Sequence, residues 1–391
     1  VKIAKVHNYY LQTGGEDTVF LAETNLLRSR GHDVVEYLES NTRIKDSSRM
    51  SIAFQTLWSS ASYHKLQSFL RTHKPDVVHF HNIFPLISPS AYYACQVLGL
   101  PVVQTLDNQR LICPSANFYR DGKLCTDCLG KTPPWPSILH ACYHNSRLHT
   151  AVVASMLTFH RWLRTWQRKV NVFLCSTNFY RNLFVEAGLP AEKLIVMPHF
   201  VAGNPDSVTH KKSGAYALFI GRLDPEKGVK TLLGAWRHLD IPLKIRGGGQ
   251  LEAMAKDFVK SNRMQTVEFV GRLEEQELSD LIANARFLVM PSEGYYETFG
   301  MVIIEAFSRG VPVLASNTGV ATELVEDQKT GVFFEAGNPI DLTEKARTMW
   351  ANSEHIAEMG MMALAAYQER FTPDRCYKTL TEVYEKVISS K

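Results

Sequence analysis

The sequence predicts an α/β protein of two doubly wound domains, and three observations carry that prediction. Short β-rich runs alternate with amphipathic helical stretches along the whole chain, the pattern of βαβ units in a parallel sheet. Most of these runs end in Gly, Ser, Asn or Pro, where loops at the carboxyl edge of such a sheet build a ligand crevice. The chain has 391 residues, more than one hydrophobic core usually holds, so two cores are expected.

In the first half, KIAKVHN reads as a strand leading into a loop at Gly14 and Gly15. A helical pattern runs from Thr18 to Arg30 and stops at Gly31, a natural C-cap. HDVVEYL, PDVVHFHN and PVVQTLDN are further strands, and VNVFLCST follows a Pro- and Gly-rich insertion over 110–145. GNPDSVTHKKSG is polar, turn-rich and aperiodic, and reads as the interdomain linker. YALFIGRL, LKIRGGG, VEFVGRL, ARFLVMPS, PVLAS and GVFFE form the second strand series. TPDRCYKTLTEVYEKVI, after a proline break, is a terminal amphipathic helix. The expected division is 1–203, 204–371 and a final helix over 372–391.

With 45% hydrophobic and 21% charged residues the composition is that of an ordinary globular protein. A formal charge of +4 is too mild to argue for a nucleic-acid partner, though it suits anionic ligands. No apolar run reaches the ~18 residues of a spanning helix. VKIAKVHNYY lacks the long apolar stretch of a signal peptide. Seven unevenly spread cysteines suggest a reducing cytosol. A cytoplasmic protein is therefore expected, with peripheral contact at the inner face of a membrane left open. The helix pattern RLHTAVVASMLTFHRWLRTWQRKV mixes basic residues with Phe159, Trp162 and Trp166. It either lies on an anionic membrane surface or packs within the first domain. Cys113, Cys125, Cys128 and Cys142 form Cys-x11-Cys-x2-Cys-x13-Cys, for which structural zinc, a disulfide and plain thiols all stay open.

Two stretches of the second half carry the chemistry. In GRLDPEKGV, Arg222 and Lys227 follow a strand closely enough for both cations to neutralise a pyrophosphate as it leaves. In EGYYETFGMVIIEAF, Glu297 and Glu305 lie eight positions apart, one before a helix start and one inside it. A glycosidase pair, a ligand clamp and plain helix capping each produce such a pattern. The amides of Phe299, Gly300, Met301 and Val302 would be those of the first helical turn, which lack intrahelical acceptors.

Gly-Arg-Leu-Asp-x-x-Lys-Gly followed by Glu-x-Phe-Gly-x-x-x-x-Glu resembles the retaining, nucleotide-sugar-dependent glycosyltransferases of family 4. The likeness runs from the Gly14-Gly15 loop to the final helix. It implies a GT-B fold, two Rossmann-like domains facing across a cleft, with the terminal helix crossing back to the first. By the same resemblance Arg222 and Lys227 bind the diphosphate, Glu297 contacts the donor sugar and Glu305 holds the ribose. Gly247, Arg272 and Leu273 lie in loops like those that receive the nucleotide base, and Gly14 and Gly15 match the loop that approaches the donor phosphate or the acceptor. His81 and Asn82, at a strand end, are expected on the acceptor side. Asp107 stands where relatives commonly have a histidine that approaches the donor hexose, so it is expected at the sugar and unfavourable to a uronate.

The expected function is transfer of a hexose from a UDP-sugar, UDP-glucose foremost, to a glycan or lipid-linked glycan in polysaccharide assembly. No cofactor and no catalytic metal are expected. The rivals are a glycoside hydrolase using Glu297 and Glu305, and a sugar-nucleotide-binding protein whose turnover is lost at Asp107.

Overall fold

The computed structural model describes residues 1–11, 14–46, 48–203, 214–295 and 297–390. Most of the linker stretch, 204–213, and Thr13 of the glycine loop lie outside them. The chain divides into two units: Val1–Phe118, Thr126–Pro198 and Cys376–Lys391 in the first, Tyr119–Cys125 and His199–Arg375 in the second.

The first unit is built on β1 (Lys2–Tyr9), β2 (Asp33–Ser40), β3 (Val77–Phe80) and β4 (Val102–Thr105). The insertion forms a two-stranded ribbon, β5 (Tyr119–Arg120) and β6 (Lys123–Leu124), that is counted with the second unit, and the first unit's sheet resumes with β7 (Val172–Cys175) and β8 (Leu194–Val196). The six-stranded order is β2-β1-β3-β4-β7-β8, all parallel, so the order in which strands are added reverses between β1 and β3. β3, β4 and β7 are buried throughout, as central parallel strands covered on both faces must be.

The first helix, Gly15–Ser29, starts three residues earlier than its periodicity suggests, because Asp17 Oδ2 accepts from the Gly14 amide at 3.0 Å and caps it. The terminal helix, Pro373–Ser389, lies on the first unit from Cys376 onward, where Tyr384 meets His79 and Tyr377 meets His32. The basic aromatic stretch is a helix over Arg147–Trp162 and a second over Thr165–Lys169. Its apolar face, with Val153, Met156, Leu157 and Trp166, is buried in the unit, while Trp162 is 77% exposed. Packing within the domain has therefore used most of the surface that membrane contact would need. Among the described residues no helix is long and apolar enough to cross a membrane.

The second unit repeats the plan with β9 (Tyr216–Ile220), β10 (Leu243–Arg246), β11 (Val267–Val270), β12 (Ala285–Met290), β13 (Val313–Ser316) and β14 (Gly331–Phe334). The order is β11-β10-β9-β12-β13-β14, again all parallel, with the reversal between β9 and β12. Alternate residues supply two separate cores. Ala217, Phe219, Phe287, Val289 and Leu314 face one side, and Leu218, Leu288, Met290, Val313 and Ala315 the other.

Candidate functional site

In the second unit Arg222, Lys227 and Glu297 gather where β9 and β12 diverge, the reversal at which open α/β sheets leave a crevice. β9 runs into Gly221–Asp224 and a single 3-10 turn, Pro225–Lys227. Gly228 follows at φ +69°, and a Cβ there would stand 1.8 Å from the Pro291 carbonyl oxygen, so only glycine lets this turn close on the end of β12. That approach brings Lys227 Nζ onto Glu297 Oε1 as an ion pair, with the two side chains 12% and 18% exposed. Ser292 Oγ donates to the same carboxylate oxygen at 3.4 Å. Arg222 is half exposed and held by Asp224 at 3.0 Å and Glu226 at 3.3 Å. Burial raises the Glu226 carboxyl above its ordinary range, with Asp224 adding to it and Arg222 and Lys227 opposing.

Glu305 lies in the helix Met301–Phe307. Its carboxyl is raised, first by burial, while Arg309 and Arg246 pull it back. Arg246 ends β10, so Glu305 lies near the start of the Gly247 loop. Gly247 itself, at φ +147°, would place a Cβ 1.9 Å from the Gly221 carbonyl oxygen. The glycines after β10 thus have a packing reason: Leu223 N donates to Gly248 O at 2.9 Å, and the loop locks onto the Arg222 segment. Arg272 is exposed and Leu273 packs on a core, two strands away from β9. Phe299 is buried and Met301 and Val302 half-buried; a helix of seven residues carries little macrodipole beyond its local amides.

The first unit holds a cluster that the sequence did not announce. Lys5 and His7 share one face of β1, and His79 of β3 and His81 just beyond it share the matching face, with Lys5 opposite His79 in register. The helix Gly15–Ser29 lays Asp17 and Glu23 over them. Lys5 Nζ donates to Glu23 Oε2 at 2.7 Å and lies 2.7 Å from His81 Nε2; His81 Nδ1 is 3.0 Å from Asp107 Oδ2. His7 Nε2 meets Asp17 Oδ1 at 2.7 Å, and His79 is held by Tyr384 and Thr105, both at 2.7 Å. Lys5, His7, Glu23, His79 and His81 are all at most 2% exposed.

Burial opposes the Glu23 carboxylate, but Lys5 and His81 hold its carboxyl well below the usual range. Burial and Lys5 likewise oppose a charged His81, yet Glu23 and Asp107 together raise its pKa. His79, buried beside Lys5, is pushed well below the ordinary imidazole value. Glu23, His79 and His81 have ligand atoms close enough to hold a metal ion, but the Lys5 ammonium already stands among them. The signal was legible in principle: K-x-H in one strand and H-x-H in the next put polar groups on faces that should be apolar.

Asp107 is thus buried and engaged by His81, and Asn82 donates to the Asn8 carbonyl at 2.7 Å and the Phe84 carbonyl at 3.3 Å. Asp107, Asn82, Asn108 and Arg110 border a cavity of about 50 Å³ in the first unit, room for a hydroxyl or a water or two but not for a sugar ring. None of the seven cysteines is in a disulfide. Among the described residues, Cys113, Cys125, Cys128 and Cys142 form no group of three ligand atoms at metal-binding spacing.

Residues 13–202 match the family model described as Glycosyltransferase Family 4, and residues 203–364 the one described as Glycosyl transferases group 1. An uncharacterised glycosyltransferase of Methanocaldococcus jannaschii is 32% identical over 44% of this chain and 48% of its own length. The chain spans about half the length of the curated relatives it matches. A glycosyltransferase from Rickettsia africae superposes with a TM-score of 0.73 at 15% identity, covering 100% of this chain and 99% of the other. HepE of Anabaena, solved in complex with UDP, superposes at 0.69 with 16% identity, covering 99% of this chain and 100% of the other. At such identities the two structures speak for the fold, which is GT-B.

Proposed function

The chain belongs to the GT-B glycosyltransferases of group 1 and family 4, and from that premise we propose that it moves a hexose from a UDP-sugar, UDP-glucose foremost, to a glycan hydroxyl with retention at the anomeric carbon. The observation that carries the reading is the Lys227–Glu297 pair at the β9/β12 reversal, with Arg222 beside it. Two cations and a carboxylate at such a reversal suit a diphosphate and the sugar attached to it, which supports the reading. A carboxylate clamped to a lysine, as Glu297 is, makes a poor glycosidase partner, which must flank a sugar and exchange protons.

In this mechanism the acceptor oxygen forms its bond to the anomeric carbon on the face that UDP leaves. The bond from that carbon to the diphosphate oxygen breaks, and the departing phosphate oxygen takes the hydroxyl proton. Lys227 and Arg222 neutralise the growing charge. Glu297, released from Lys227 as the diphosphate arrives, turns its carboxylate to the sugar hydroxyls. In the first unit, a Cβ at Gly14 or Gly15 meets nothing within 4 Å, so packing does not demand glycine in that loop. The test is UDP release from UDP-glucose, UDP-galactose and UDP-glucuronate with glycoside acceptors; tight UDP binding without release from any of them would leave a binding protein instead.

The two glutamates separate in a binding experiment. Glu305→Gln weakens UDP affinity by about tenfold, the loss of one charge-assisted hydrogen bond to a ribose diol. Glu297→Gln leaves UDP affinity within about threefold and lowers turnover, because its partner is the sugar. Calorimetric titration with UDP decides; equal losses in both variants would end the division of roles.

Asp107 governs donor charge. In wild type, UDP-glucuronate is turned over far more slowly than UDP-glucose, because its carboxylate would be desolvated near that of Asp107. Asp107→Asn keeps an acceptor for His81 and narrows the gap. Asp107→His removes that acceptor and sets two imidazoles together beside Lys5, so it loses activity rather than gaining the family's histidine contact. Unchanged donor selectivity in Asp107→Asn would remove the residue from the sugar pocket.

A further inference from the structure

Glu16 has the wrong electrostatics for a residue kept for stability. It occupies the first turn of the helix Gly15–Ser29, where a carboxylate ordinarily stabilises the positive helix end. The cap, however, is already made by Asp17, which accepts from Gly14 N and bonds His7. Glu16 turns instead to the loop after β4, where Asn108 Nδ2 donates to its Oε1 at 3.1 Å and its Oε2 at 3.3 Å. Asn108 in turn borders the small cavity with Asp107 and Arg110.

Among the described residues, the groups that act on Glu16 come from three segments. Tyr10, after β1, interacts with both Glu16 and Arg110. Asp17 follows it on its own helix, and Asp107, Asn108 and Arg110 come from the loop after β4. Burial and then Asp107 raise the Glu16 carboxyl to about 7, against the pull of Asn108 and Arg110. A folded pKa above the unfolded one means the ionised form costs stability. That cost is absent below the unfolded pKa and fully present once pH has risen through about 7.

Asn108 donates to this carboxylate, Asp107 and Arg110 act on it by their charges, and Arg110 also donates to the Pro114 carbonyl at 2.9 Å. The neighbourhood thus holds both donor and acceptor groups, with the Arg110 guanidinium over the Phe84 ring at 4.1 Å and near Tyr143 at 5.3 Å. A phosphate or uronate would meet two carboxylates here, and a metal ion would meet Arg110. A sugar hydroxyl, which gives one hydrogen bond and takes another, suits both kinds of neighbour.

We propose that Glu16 is a specificity-determining residue of the transferase, the group on the first unit that accepts a hydrogen bond from a hydroxyl of an uncharged acceptor sugar. The assignment rests on the transferase reading above. Its test uses the full chain, UDP-glucose, and methyl glucoside, galactoside, mannoside and glucuronide as acceptors, with wild type, Glu16→Gln and Glu16→Asp compared across pH. In wild type, kcat/KM for the best neutral glycoside falls as pH drops through about 7, and the glucuronide is the poorest acceptor. In Glu16→Gln that limb disappears and the acceptor KM rises at least about tenfold at alkaline pH, while the UDP-glucose KM is unchanged. Glu16→Asp retains the limb. Thermal unfolding supplies a second readout: Glu16→Gln raises Tm above pH 7 and leaves it unchanged near about pH 4, where both side chains are neutral.

A wild-type limb and acceptor KM that survive in Glu16→Gln would overturn the assignment while leaving the transferase intact. A lowered Tm with both KM values raised would make Glu16 merely structural. If wild type releases no UDP with any glycoside, the transferase reading falls first and this assignment with it.

Discussion

Lys5→Met lowers the stability of the chain in urea unfolding by about 3–5 kcal/mol, the cost of removing one partner from a buried ion pair. Against a typical domain stability of ~5–15 kcal/mol, that is enough to unfold much of the first unit near its working temperature. The cause is Glu23, 1% exposed, whose carboxylate loses the ammonium 2.7 Å away and keeps only histidines. Because Glu23 titrates well below the ordinary carboxylate range in the folded chain, its contribution is present above the unfolded pKa. It is lost as pH falls through the folded value, so wild type should show an acid limb that Lys5→Met lacks. Adding Glu23→Leu to Lys5→Met removes the stranded charge and recovers most of the loss. A Lys5→Met chain as stable as wild type would show that the ammonium does not hold this cluster together.

Lys227→Ala reduces UDP release from the preferred UDP-sugar by about tenfold to a hundredfold, and Arg222→Ala by about tenfold. A charge-assisted hydrogen bond to a sequestered phosphate is worth ~1.5–3 kcal/mol, and each ~1.4 kcal/mol is a factor of ten. The ranking follows from burial: Lys227 is 12% exposed and Arg222 50% exposed, and solvent screens the second more. Lys227→Ala also leaves Glu297 without the cation that holds it, so the contact proposed for it with the sugar loosens too. Steady-state kinetics with UDP calorimetry separates these effects. Lost turnover with retained UDP affinity would place Lys227 on the transition state, and near-normal kinetics in both variants would remove the pair from the diphosphate.

Much of this protein could be read along the chain. The strand series of both halves, the glycine at the end of the first helix pattern and the Arg222–Lys227 and Glu297–Glu305 spacings are contiguous properties, set by periodicity and turn chemistry over a few residues. β8 was missed, because Leu194–Val196 is too short to show a period. The four cysteines stayed open along the chain because Cys-x2-Cys is a local spacing, whereas a metal needs ligand atoms converging in space, and these do not converge among the described residues.

What the sequence determined by itself was therefore the fold class, the order of elements and the residue types at the carboxyl edges of two parallel sheets. Tertiary structure alone decided which charges meet. Lys227 and Glu297 are 70 positions apart, Lys5 and His81 are 76 apart, and Asn108 and Glu16 are 92 apart. Periodicity places a side chain on a face, but its ionisation depends on the water excluded around it and on the charge a distant strand or helix sets against it. Both exist only once the chain has closed.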